Sequence, residues 1–176
     1  MKNLIKGSNI NLRSVSRNDL ALIRDLRNYA EVRSNSFQYF LLNMTDQKKW
    51  FDRISRQGAD RIMFVITNKK MLPVGVCGLI NLDFENKSGE IAIMLDEKNR
   101  KKNFGSESLR LLVKYGFEQL RLHRIVAEVF EFNDASIRLF EKMHFRHEVT
   151  YTDKLWQDGR WYNTRGYSLI VNRRSS

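Results

Sequence analysis

Apolar positions along this chain alternate between a period of two and a period of three to four, and each change marks an element boundary. Residues 9–15 alternate, with Ile10, Leu12 and Val15 nearly in register, and predict a first strand. Ser16 followed by Asp19 is a capping-box-like helix start, and Leu20, Ile23, Leu26 and Arg27 keep helical spacing behind it. Residues 30–40 are irregular and hold a second short helix, while Thr45 is expected to cap a third that runs through Gln57 and ends at Gly58. Residues 62–67 and 74–84 predict a hairpin around Asn68-Lys69-Lys70-Met71, followed by a strand over residues 90–95. Gly105 opens a long amphipathic helix carrying Leu109, Leu112, Val113, Gly116 and Leu120. A β-branched strand over 123–131 follows, then a helix over 134–143 with Ile137, Phe140 and Met143 on one stripe and Asn133 or Asp134 as its cap. Residues 146–155 and 161–171 close as an antiparallel pair around Gln157-Asp158-Gly159. This order predicts an α+β arrangement, a mixed sheet with helices on both faces.

Composition narrows the class. With 176 residues, 42% hydrophobic and 29% charged, the chain is expected to form one domain with a real core, not a disordered polymer. No apolar run approaches the roughly 18 residues of a membrane span, and the first seven residues lack an apolar signal-peptide region. Cys77 is the sole cysteine, which excludes an internal disulfide and any multi-cysteine metal site. His123, His144 and His147 have no metal-ligand spacing, so no metal is expected. These readings imply a cytoplasmic protein without a membrane partner. The formal net charge of +11 makes polyanions the expected partners: nucleic acid, phosphorylated cofactors or anionic surfaces.

Two segments carry chemistry. The first is Arg100-Lys101-Lys102-Asn103-Phe104-Gly105, between a strand and a helix, where backbone N–H groups and a helix N-terminus converge into a cradle for a pyrophosphate. About thirty residues on, after another strand, comes Asn133-Asp134-Ala135-Ser136-Ile137-Arg138-Leu139-Phe140-Glu141-Lys142-Met143-His144-Phe145. In order and spacing these segments resemble the GNAT-superfamily N-acetyltransferases, and most the branch that includes the ribosomal-protein N-terminal acetyltransferases and related small-molecule acetyltransferases. That family's loop is Arg/Gln-x-x-Gly-x-Gly/Ala, and its later motif is Asn-x-x-Ala/Ser-x-x-x-Tyr/Phe-Glu-Lys-x-Gly-Phe. Three positions depart. Asn103 stands for a Gly, His144 for the Gly before the last Phe, and Phe140 where many relatives have a Tyr thought to protonate the departing thiolate.

The resemblance implies a mixed, mostly antiparallel seven-stranded sheet with splayed central parallel strands. It implies one acetyltransferase domain over 1–176: residues 1–60 contribute the acceptor site, 61–145 the acetyl-CoA-binding core and 146–171 the closing hairpin. Acetyl-CoA is the implied cosubstrate, its pyrophosphate on the amides of Lys101, Lys102, Asn103, Phe104 and Gly105 and the helix start at Ser106, with Arg100 adding charge. Met94 and Leu95 would pair their backbone with the pantetheine, and Asn133 would hold it from the opposite wall. Cys77, in an apolar strand, argues for direct attack over a ping-pong acetyl-cysteine.

For the base, Glu90 is the first candidate, sharing a strand face with Ala92 and Met94; the alternative is an exposed strand-start carboxylate. Glu128 and Glu131 point to opposite faces of an unbulged strand, so at most one serves the cleft, and Glu128 is the one favoured. Ser136 either hydrogen-bonds the leaving sulfur or merely caps its helix. Arg27, Asn28, Trp50 and Tyr167 are candidate acceptor-site residues, and Trp156, Trp161 and Tyr162 could add to its wall. Arg27, Asn28 and Arg33 with few acids suit an anionic acceptor, and the Arg27-Asn28 and Trp50 pattern looks like the acetyltransferases of nucleotide-linked amino sugars. A protein N-terminus is the other acceptor considered, with weak docking on ribosomal RNA, and a homodimer follows from the resemblance alone. Two rivals stand beside the enzyme: a non-catalytic acetyl-CoA sensor, and a basic nucleic-acid-binding module that would leave both motifs as coincidence.

Overall fold

The structure is a computed structural model that describes residues 4–56, 58–100 and 102–171. A short strand β1 (Leu4–Lys6) turns back on β2 (Ile10–Ser14), and a single 3-10 turn leads into α1 (Leu20–Asn28), α2 (Ala30–Ser34) and α3 (Met44–Ile54). Three antiparallel strands follow, β3 (Ile62–Asn68), β4 (Pro73–Asp83) and β5 (Ser88–Leu95). Then come α4 (Phe104–Lys114), β6 (Arg124–Phe130), α5 (Asp134–Lys142), β7 (Arg146–Gln157) and β8 (Arg160–Ile170). The sheet order is β1-β2-β3-β4-β5-β6-β8-β7, with β5 and β6 as its parallel pair. The seven strands expected are therefore eight. Three-residue β1 is too short to show a period, and it joins by pairing Ile5 opposite Leu12.

Local chemistry explains the entries into the helices. Arg13 grips Asp19 with two hydrogen bonds of 2.7 and 2.8 Å, and the same carboxylate accepts the Ser16 N–H at 2.8 Å, which sets where α1 starts. The cap of α3 is Asn43, upstream of the expected Thr45. Its side-chain oxygen accepts the N–H groups of Thr45 and Asp46 at 2.7 and 3.0 Å, and Asp46 accepts the Asn43 N–H in return at 3.0 Å. The helix ends at Ile54, and Gln57 lies outside the described residues.

Strand alternation sorts the core onto two faces. Val65 and Val76 join Ile23 with Leu26, Trp50 and Met94, under the α1–α3 layer. Phe64, Ile66 and Cys77 join Ile10, Leu12 and Leu112 on the opposite face, under α4. A third cluster, with Leu79, Ile91, Leu109, Ile125, Ala127, Ile137 and Phe140, wedges α4 and α5 onto the same side as the second. Past Lys114 the α4 helix widens into one π turn (Tyr115–Gln119). It passes so close to the sheet that a Cβ at Gly116 would come within 2.8 Å of Ile125.

One buried carboxylate ties the start of α4 to the beginning of the chain. Glu107 accepts the Asn9 N–H at 2.9 Å and the Asn9 side-chain amide at 3.1 Å. Burial pushes this carboxyl up, but hydrogen bonds from Asn9 and from the Ile10 and Ser8 backbone outweigh it and hold the group below its ordinary value. A depressed carboxyl stabilises the fold above its unfolded pKa and loses that contribution as pH falls through the folded value. Glu107→Gln is therefore expected to cost about 1–3 kcal/mol at neutral pH. The gap to the parent protein should shrink below about pH 4. Urea unfolding across that range checks both; a gap independent of pH would assign the effect to packing.

Candidate active site

The parallel pair is short. β5 meets β6 only at Ser88 with Arg124, Gly89 with Ile125 and Glu90 with Val126. Beyond that point β5 runs on to Leu95 bonded to β4 alone, and β6 runs on to Phe130 bonded to β8 alone. The two strands fork at Glu90, and residues 91–95 present a row of unpaired backbone N–H and C=O groups to the gap, a ready partner for an extended ligand. Glu90, Ala92 and Met94 face the α1–α3 side, and Ile91, Ile93 and Leu95 the α4 side.

The loop after β5 leads from the fork to the start of α4. Asn103 takes the left-handed conformation, φ 62 and ψ 6, as the N-cap of α4, so it fills the glycine position of the loop. Its side chain does not cap the helix, which leaves the first-turn N–H groups of Phe104, Gly105 and Ser106 free for an anion. A Cβ on Gly105 would sit 3.4 Å from Leu95 and 3.7 Å from Leu139, between the two walls of the gap. One turn further along α4, Ser108 is fully buried and its hydroxyl has no hydrogen-bond partner. A free helix start at the end of a bare strand edge fits a long ligand with a diphosphate at one end. The Phe104 ring packs into the core. Arg100 is ion-paired with Glu31 of α2, and Lys102 donates to Asn99 at 3.2 Å. Lys101 lies outside the described residues.

Across the gap, Asn133 caps α5, its Oδ1 accepting the Ser136 N–H at 3.0 Å. Ser136 is half-buried in the first turn of that helix. Phe140 is in the core, edge-on to Phe145 at 5.2 Å. His144 holds the left-handed turn, φ 62, that a glycine would take.

The α1–α3 side brings together some of the expected acceptor residues and removes others. Glu90 sits at the vertex of the fork, half-buried, with its Oε2 accepting the Asn81 side-chain amide at 2.8 Å. Glu128 lies on the same face of β6 but is engaged, accepting Lys154 at 2.8 Å and Thr164 at 2.5 Å. Glu131 lies beyond the end of β6 and accepts the Asn163 N–H at 2.8 Å. The Arg27 guanidinium stands 5.8 Å from the Trp50 ring, and Trp50 packs on Val65, Val76 and Met94. Asn28 is a correction. Its amide donates to Leu42 O and its Oδ1 accepts the Leu42 N–H, both at 2.8 Å, so its first task is to fasten the loop after α2, leaving one N–H and one lone pair. Tyr167 is a second correction. It pairs with Ala127, is 1% exposed, and points to the α5 face, where its hydroxyl donates to Glu141 at 3.2 Å.

Residues 9–146 match the family model described as an acetyltransferase (GNAT) domain. The chain belongs to the GNAT acetyltransferase family. Among its relatives, the spermidine N(1)-acetyltransferase of Vibrio cholerae is 23% identical over 166 residues, covering 94% of this chain and 95% of that protein. An uncharacterized N-acetyltransferase, p20, of Bacillus licheniformis is 30% identical over 125 residues, covering 71% of this chain and 70% of the relative. The crystal structure of the Vibrio cholerae spermidine N-acetyltransferase with CoA and spermine superposes with a TM-score of 0.88 at 21% identity, covering 93% of this chain and 96% of that one. As a GNAT enzyme the chain is an acetyl-CoA-dependent N-acetyltransferase, and the fork and cradle above meet what that cosubstrate requires. Among the described residues no helix is long and apolar enough to cross a membrane, and no cluster of His, Cys, Asp and Glu could hold a metal.

Several residues that shape this GNAT site escape a sequence reading. Asn81, in a left-handed bulge of β4, orients Glu90. Gln47 and Arg61 line the Arg27 side, and the available signal was spacing: Gln47 lies three before Trp50 on one helix face, and Arg61 shares the parity of Met63 and Val65.

Two substitutions probe the cradle. Gly105→Trp is expected to abolish acetyl-CoA binding by calorimetry while the melting transition persists, because its Cβ fits and the ring fills the gap. Asn103→Gly should keep acetyl-CoA affinity within about twofold and gain up to about 1 kcal/mol by relieving the left-handed asparagine; a large loss of affinity would mean the Asn side chain itself touches the ligand.

Proposed function

We propose that this chain acetylates a primary amine on a small acceptor by direct, sequential attack at the fork between β5 and β6. The observation that carries the reading is the fork itself: a bare strand edge that ends in an anion cradle, with a carboxylate at its vertex. Acetyl-CoA supplies the acetyl group as a thioester. Met94 and Leu95 hold the pantetheine arm by backbone pairing, the amides from Lys102 to Gly105 and Ser106 hold the diphosphate, and Asn133 closes the slot from α5. An alkyl ammonium with a pKa near about 10 must lose a proton before it attacks. Glu90 takes that proton, directly or through one water, with Asn81 fixing its carboxylate. Glu128, already paired with Lys154, orients the acceptor and is not the base. Ser136 donates to the departing sulfur; a thiol of pKa about 8.5 leaves readily, so the missing tyrosine at Phe140 is tolerable. Cys77 is fully buried and its thiol pushed up by that burial, which supports direct transfer over a covalent acetyl-cysteine.

A nucleotide-linked amino sugar and a protein N-terminus both carry the amine this scheme needs, and the cationic lining around Arg27 favours the first. Ser136 supports kinship with the ribosomal-protein branch. The exposed edge strand β7 supports pairing with a second copy, the positive field supports weak docking on ribosomal RNA, and a lone buried cysteine accords with the cytoplasm. A polyamine acceptor has its own support. A cavity of about 270 Å³ on the other side of α1 is lined by Asp25, Asp96 and Glu97 beside Tyr29 and Gly75, and one relative is named for spermidine.

Glu90→Gln is expected to lower turnover about 100-fold at neutral pH, to lose less as rising pH supplies free amine, and to leave acetyl-CoA affinity unchanged. Steady-state rates across pH check it. Full activity throughout would take the base away from Glu90, and binding of acetyl-CoA with no turnover on any amine would favour the sensor.

A further inference from the structure

Arg27 is a half-buried cation without a counter-ion. Its guanidinium donates to Gln47 Oε1 at 3.4 Å and lies against Trp50, and no carboxylate among the described residues reaches it. Gln47 is 0% exposed; Arg27 occupies its oxygen, and its amide nitrogen is buried with no partner at all. Burial and the charge of nearby Arg61 both push the Arg27 pKa down, which is the signature of an unneutralised site. Arg61 and Arg53 share the single carboxylate of Asp60, so the wall carries excess positive charge. A buried cation and an unpaired buried amide N–H are costly unless something accepts from both.

Register gives this wall a position relative to the fork. Ile62 pairs with Leu79, which sets Arg61 across from Ile80, and Ile80 pairs with Glu90. Arg61 and Glu90 are therefore two strands apart on one face, about 10 Å. We infer that Arg27, with the Gln47 amide and Arg61, seats an anionic group of the acceptor, so that the preferred substrate is an amine that also carries a phosphate or carboxylate within reach of the fork. The inference rests on the acetyl-transfer reading above. It separates the two sides of α1, since the carboxylate-lined cavity lies across that helix from Arg27.

Calorimetric titration tests it with acetyl-CoA first, and then with pyrophosphate added to CoA-saturated protein at about physiological salt, where diffuse surface attraction is screened. Rates are compared for glucosamine 6-phosphate against glucosamine and for 6-aminohexanoate against hexylamine. Arg27→Met and Gln47→Leu are the test variants, Lys48→Met on an exposed position of α3 is the control, and melting curves verify folding. The expected result is pyrophosphate binding and a preference of at least tenfold for one anionic amine. Both should be lost in either test variant and kept in the control; the preferred pair tells phosphate from carboxylate. Equal rates within each pair, a preference for spermidine, or anion binding untouched by Arg27→Met would overturn this inference alone. Failure to bind acetyl-CoA would overturn the acetyl-transfer reading and this inference with it.

Discussion

Past Glu90 the N–H and C=O groups on one edge of β5 have no strand to bond with, and unpaired backbone inside a fold costs about as much as a lost hydrogen bond. The sheet sustains that cost because both sides of the fork are held elsewhere. β5 is laddered to β4 along its length, and β6 is laddered to β8 over seven pairs. Apolar contacts fix the spread: Ile91 and Leu109 from one wall and Ile137 and Phe140 from the other pack into one cluster beneath it. The opening is thus a property of a rigid core and does not depend on a mobile loop.

Charge is distributed unevenly over this strongly basic chain. Arg124 pairs with Glu148, Arg100 with Glu31 and Lys154 with Glu128, so much of the visible positive charge is locally neutralised. What differs is the lining on either side of α1. One side presents Arg27 with a buried amide and, among the described residues, no carboxylate paired to it; the other presents three carboxylates around an apolar floor. A net charge of +11 describes neither surface. Two sides of one helix thus carry linings of opposite charge.

The parts legible from sequence are those whose chemistry is local. Asn103 announces a left-handed turn because its neighbours on both sides are a strand and a helix start, and Asn133 announces a cap because an amphipathic helical stripe begins directly after it. Glu90 could be set on its face by counting twos from Met94. Tyr167 could not be placed this way, since the face it takes depends on pairing with Ala127, forty residues away in a strand whose register no short motif reveals. Asn28 reads as a ligand-facing polar residue until Leu42 is folded onto it. Gln47 is harder for the opposite reason: a glutamine in a polar-rich helix looks solvated, its spacing from Trp50 gives only its face, and packing shows it to be enclosed.

The Glu107 contact to Asn9 joins positions 98 residues apart. Such a link forms late, because the loop it closes spans more than half of the polypeptide. The start of α4 therefore stays incomplete until the opening hairpin has docked on it, well after the local helices exist. A ligand that binds only the finished cradle draws on the stability of the whole chain. For any ligand seated at the start of α4, occupancy would consequently measure global folding as much as local affinity.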